Sequence, residues 1–74
     1  MTKISVLTTI YNETFSQVER AIQSVKNQSD QNFIIEHVIV IDNPQYKDMK
    51  QLSILSNALN SRNFYTNIVQ MKET

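Results

Sequence analysis

Few side chains in this sequence could do chemistry. There is one histidine, His37, and no cysteine. Disulfides and thiolate metal sites are therefore excluded, and His37 has no second ligand of its kind to join it. It stands in FIIEHVIVID, a run of aliphatics, where a structural histidine is the expected reading. Ser24 has neither a sequence-adjacent base nor an oxyanion motif, which argues against a hydrolase. Glu13, Glu19 and Glu36 fall on separate elements and make no acid–base pair by spacing. Two polar breaks remain: Tyr11-Asn12-Glu13, where one apolar strand ends, and Asp42-Asn43-Pro44, where a second one stops. Taken alone, Tyr11 reads as a half-buried packing residue and the Asp42 turn as a helix cap. A capping carboxylate still has a second oxygen to offer.

The composition narrows what those breaks can do. The chain has 74 residues, 41% of them apolar and 19% charged, as in an ordinary soluble globular domain. One domain, 1–74, is all that this length allows, and it buries only about 60–65% of the surface of its unfolded form. Seven basic residues balance seven acidic ones, so no electrostatic reason points to a nucleic-acid partner. The longest uninterrupted apolar run, Val38 to Ile41, is four residues, against the ~20 of a membrane span. The amino terminus does not read as a signal peptide, and a cytoplasmic location is expected by default. Glycine is absent, where roughly five would be usual. Glycine-rich phosphate loops and GxGxxG dinucleotide motifs are thereby ruled out.

Periodicity supplies the elements that would position the two breaks. Residues 3–10 read as a strand with near-continuous apolar and β-branched character, which predicts burial on both faces of a parallel sheet. Phe15, Val18, Ile22 and Val25 mark one stripe of an amphipathic helix, opened by a capping box at Thr14/Gln17 or Ser16/Glu19. The β-branched run 38–41 predicts a second strand that Pro44 cannot continue. Met49, Leu52, Leu55 and Leu59 place a second helix from Gln45 or Lys47 to about Ser61, its end capped by a left-handed Asn and favoured by Arg62. Residues 64–71 read as a third strand. The order is β-α-β-α-β with crossovers long enough for parallel pairing, a Rossmann-like half-sheet expected in three layers with strand order 3-2-1.

With that frame in place, ISVLTTIYNET, then VERAIQSVKNQ and IEHVIVIDN, resemble the opening of family 2 glycosyltransferases with the A-type fold. Ser5, Tyr11, Asn12, Ser24, Gln28, Glu36 and Asp42 fall on the family's ordered positions within about the first 45 residues. The resemblance implies the amino-terminal, nucleotide-sugar-binding piece of an enzyme that moves a sugar from a nucleoside diphosphate donor, UDP-linked by preference, to an acceptor. Carried over by position, Thr9, Tyr11, Asn12, Glu13 and Asp42 would form the nucleotide site, with Asp42 accepting the ring N–H of the base. The chain departs from the pattern at Thr9, Ile41 and Pro44. It contains no catalytic residue and no metal ligand of the family: the Asp-x-Asp carboxylates that hold a divalent ion, Mg or Mn, belong to the longer enzyme. The piece alone is expected to turn nothing over. Two other readings compete, a non-catalytic interaction module and a small nucleotide-binding regulatory domain. The outer edge of the first strand, Ile4 to Ile10, carries no guard after Lys3, so a homo-oligomer through that edge or the helix faces is expected.

Overall fold

The computed structural model describes residues 2–72. Five elements follow in the expected order: β1 Thr2–Ile10, α1 Phe15–Lys26, β2 Phe33–Ile41, α2 Met49–Leu59 and β3 Phe64–Gln70. The strands form one open, wholly parallel sheet in the order β1-β2-β3. The expected 3-2-1 names the same adjacency from the opposite edge, with β2 between its two sequence neighbours. No helix among the described residues is long and apolar enough to cross a membrane.

The layers differ from expectation. Strand alternation sends Ile10 of β1, Ile35, His37, Ile39 and Ile41 of β2, and Phe64 of β3 to one face, where Val18 and Ile22 of α1 and Leu52 of α2 join them in a single core. The other face is uncovered: Leu7 is 68% exposed and Val69 44%. This is a two-layer α/β unit and not a three-layer one. Two crossovers of one hand that step in the same direction across a sheet put both helices on the same side. A third layer needs a reversal of strand order, which three strands in the order 1-2-3 do not make. Leu7, Val38 and Val40 thus belong to an apolar but open surface, and near-continuous apolar sequence does not here signal burial on both faces.

Local chemistry sets the helix ends. Thr14 Oγ1 accepts from the Gln17 backbone N–H at 3.2 Å while Gln17 Oε1 accepts from the Thr14 N–H at 2.9 Å, the first of the two expected capping boxes. The second helix starts later than expected, at Met49, because Asn43 holds the preceding segment in turns. Its side-chain oxygen accepts from Gln45 N–H at 3.0 Å and its carbonyl from Tyr46 N–H at 3.2 Å. The helix ends at Leu59, and Asn60 is extended (φ −63°, ψ 138°), not left-handed. No described residue has positive φ. Nor does α2 have a basic residue in its last turn. The cation comes from the neighbouring helix: Lys26 Nζ donates to the Leu59 carbonyl at 2.7 Å and lies 5.0 Å from the centre of the Phe64 ring. It satisfies an orphan carbonyl at the negative end of α2 and joins both helices to β3.

A polar band crosses the core. His37 is fully buried, with Nε2 2.7 Å from Thr8 Oγ1 and Nδ1 without a partner among the described residues, and Ser56 Oγ hydrogen-bonds Thr66 Oγ1. Burial holds the His37 pKa below its ordinary value, because an imidazolium there would lose its hydration. The unfolded chain then takes up a proton near pH 6.5 while the folded one stays neutral. Stability attributable to this group is complete above that pH and falls as pH drops below it.

Two outcomes are expected. Replacing Lys26 by Met, which keeps the stem and removes the ammonium, lowers stability by about 1.5–2 kcal/mol, and in a domain this small the thermal midpoint by roughly 6–15 °C. In urea unfolding, the wild-type midpoint falls between pH 7 and pH 5, and His37→Leu flattens that part of the profile, leaving only the carboxylate-driven loss at lower pH.

Candidate functional site

The two polar breaks meet at one rim. The β1–β2 register ends with Ile10 opposite Ile41, and the ladder is continued by Asp42 N–H donating to the Ile10 carbonyl at 2.7 Å. Tyr11 and Asp42 therefore leave adjacent strands side by side, at the carboxyl end of the sheet where open α/β folds place ligands.

A short network stiffens the rim. Tyr11 N–H donates to Glu13 Oε2 at 2.7 Å, folding the break back on itself. Asn43 Nδ2 donates across to the Tyr11 carbonyl at 3.0 Å and to Asn12 Oδ1 at 3.2 Å, so the loop after β2 is stapled to the loop after β1. Tyr46 is nearly buried, and its hydroxyl donates to the Glu13 carbonyl at 2.7 Å. Burial, reinforced by the charges of Asp48 and Glu13, pushes the Tyr46 phenol pKa up. From β3, Gln70 Nε2 reaches the carbonyls of Asn43 and Pro44 at 3.1 and 3.2 Å. All three strands thus contribute to holding the loop 42–48.

Between the loops lies a cleft of about 390 Å³ lined by Asn12, Glu13, Thr14, Asn43, Gln45, Tyr46, Lys47 and Asp48. It offers amides, carboxylates and one ammonium, which suits a polar ligand. It holds no nucleophile paired with a base. Among the described residues no three of His, Cys, Asp and Glu cluster to hold a metal ion. A second, more open hollow at the opposite end of the sheet is bounded by Ser29, Asp30, Gln31, Asn32 and Asn63. Asp30 and Asn63 are bonded within it, Asn63 Nδ2 donating to the Asp30 carbonyl at 2.6 Å, and it lies at the amino ends of the strands.

The five residues expected at a nucleotide site divide. Asn12 and Glu13 line the cleft, both already engaged in the rim network. Thr9, Tyr11 and Asp42 are exposed and do not line it. Thr9 lies on the open face of the sheet, Tyr11 is 60% exposed, and the Asp42 carboxylate has no hydrogen-bond or ion-pair partner among the described residues. The pair at the rim and the cleft beside it are neighbours, separated by the Asn43 staple. Tyr46 and Gln70 were not singled out by sequence and Asn43 was read only as part of the turn after the second strand, although a lone tyrosine in the polar stretch after Pro44 was the visible signal for one of them. No protein-family model, curated protein or solved structure matches the chain.

Tyr46→Phe is expected to cost about 1 kcal/mol through loss of the hydroxyl bond to Glu13. It also removes the late phase of the phenol absorbance titration. Persistence of that phase in the variant would show that Tyr46 is not the buried phenol.

Proposed function

We propose that this chain is the nucleotide-binding start of a glycosyltransferase that takes its sugar from a nucleoside diphosphate donor, UDP-linked by preference. The observation that carries the reading is the pair Tyr11 and Asp42, side by side at the carboxyl rim, one presenting an exposed ring and the other a carboxylate with no partner among the described residues. A carboxylate only accepts hydrogen bonds, and the imide N–H of uracil is a matching donor. Cytosine has a lone pair at that place, which would leave Asp42 desolvated and unpaired at about 1–3 kcal/mol. The Tyr11 ring gives the base or ribose a flat apolar surface, with Thr9 two residues back near the end of β1. Glu13 acts on the backbone, holding the Tyr11 turn, and Asn12 serves the staple.

The reading assigns the rest of the reaction elsewhere. A divalent ion, Mg or Mn, would neutralise the leaving diphosphate in the longer enzyme. The described residues of this chain do not cluster to hold it. What these residues do is bind and orient one nucleoside. The alternative is a non-catalytic interaction module, and the uncovered sheet face with Leu7 and Val69 is the observation that favours it.

Titration of the chain with UDP, followed by amide resonances, separates the two. The first reading expects saturable shifts in the millimolar range at Tyr11 and Asp42, weaker shifts with CDP, and an Asp42→Asn variant with about ten-fold lower UDP affinity and no preference over CDP. Absence of any saturable shift at tens of millimolar UDP overturns it in favour of the interaction module.

A further inference from the structure

We propose that two copies of this chain pair through β1, antiparallel about a two-fold axis at Val6, to make one continuous six-stranded sheet. The backbone fixes which groups are free. Ile10 turns its carbonyl toward β2, where it accepts from Asp42 N–H. By strand alternation the even residues of β1 do the same, and Lys3, Ser5, Leu7 and Thr9 turn both N–H and C=O outward. None of these outward groups has a partner among the described residues. The opposite margin of the sheet is partly closed. On β3, the Phe64 carbonyl accepts from Ser61 N–H at 2.8 Å and Thr66 N–H donates to Asn60 Oδ1 at 3.3 Å. One margin is therefore open along its length and the other is blocked over its first half. That asymmetry favours a closed pair of copies over an extending ribbon.

The register follows from the same groups. With Val6 facing Val6 of the second copy, Lys3 lies opposite Thr9 and Ser5 opposite Leu7. All four outward residues of each chain then sit in hydrogen-bonded pairs, four pairs with two bonds each and about eight bonds in total. A shift toward the carboxyl end brings in Tyr11, whose N–H is taken by Glu13, and bonds are lost. A shift toward the amino end carries Thr9 past the first residue of the strand, so bonds are lost, and moves the two Lys3 ammoniums, the only charges on the strand, closer to each other. The side chains agree with the central register. Ile4 is 42% exposed and Val6 half-buried on the helix side, and pairing sets Val6 against Val6 of the second copy and Ile4 opposite Thr8, diagonal to Val6, so that the two cores become contiguous. Leu7, 68% exposed on the other face, is brought near its own copy. No proline and no glycine interrupts the strand.

Because the chain has no cysteine, single cysteines report the register cleanly. A facing non-hydrogen-bonded pair has its Cα atoms about 4.5 Å apart, within disulfide range. Val6→Cys should cross-link nearly completely under mild oxidation, and Leu7→Cys should not. Sedimentation of the wild-type chain should give the mass of two chains at high concentration. Hydrogen exchange should show Ser5, Leu7 and Thr9 amides protected in a concentration-dependent way. Ser5→Pro and Leu7→Pro each remove an outward N–H and leave the β1–β2 ladder intact. Both should weaken self-association at least about 30-fold, and the one or both that keep the wild-type circular dichroism decide the matter. A monomer at all concentrations, or a dimer that persists in a folded proline variant, overturns the proposal. Cross-linking by Leu7→Cys in preference to Val6→Cys overturns its register.

Discussion

The Asp42 N–H that donates to the Ile10 carbonyl is the last rung of the β1–β2 ladder, and it decides where both loops of the rim begin. Parallel pairing makes this possible. Two strands running the same way end together, so residues 31 positions apart in sequence become lateral neighbours. Were the pairing slipped by one residue, every inward side chain of β1 would turn outward. Ile10 would leave the core, and Asn43 could no longer reach the Tyr11 carbonyl. The staple, the cleft and the Tyr11–Asp42 pair are all consequences of that one register.

The sheet is used unequally on its two sides. One face is sealed by both helices and carries the whole core, including the polar band of Thr8, His37, Ser56 and Thr66. The other carries an ionic and aromatic cluster near the amino ends, where Lys3 Nζ lies 3.4 Å from Glu36 Oε1 and 5.7 Å from the centre of the Tyr65 ring, and Ser5 donates to the same carboxylate at 3.2 Å. An exposed pair of this kind adds little stability. Its effect is to make that half of the face polar, leaving apolar surface toward the rim at Leu7, Val38, Val40 and Val69. Fixation of the helices is likewise divided between ends: Lys26 ties their carboxyl termini together, and Tyr46 ties the loop before α2 to the loop before α1.

Most of this architecture was legible in the sequence because it is written in local periodicity. The stripe from Phe15 to Val25, the Thr14/Gln17 box and the β-branched run before Asp42 each specify their element within a few residues. The parallel β-α-β-α-β order and the common rim for Tyr11 and Asp42 followed from the connection lengths. Features set by distant partners were not legible. The delayed start of α2 depends on turns centred on Asn43, whose side chain is itself held by residues 11 and 12. Tyr46 is buried by a partner 33 residues away. The open face escaped notice because an apolar strand residue looks the same in sequence whether or not a layer covers it.

The absence of glycine also acts on the unfolded chain. Turns are made with negative φ throughout the described residues, closed by Asn and Asp side chains such as Asn43 over Gln45 and Asp30 over Asn32. No turn therefore demands the one residue that would also loosen the denatured ensemble. Each glycine replaced at an unstrained position lowers the entropy lost on folding by about 0.4–1 kcal/mol. Over the roughly five that a chain this long would ordinarily contain, the difference is about 2–5 kcal/mol. For so small a core that is of the same order as the entire free energy of folding, and it involves no contact visible in the native state.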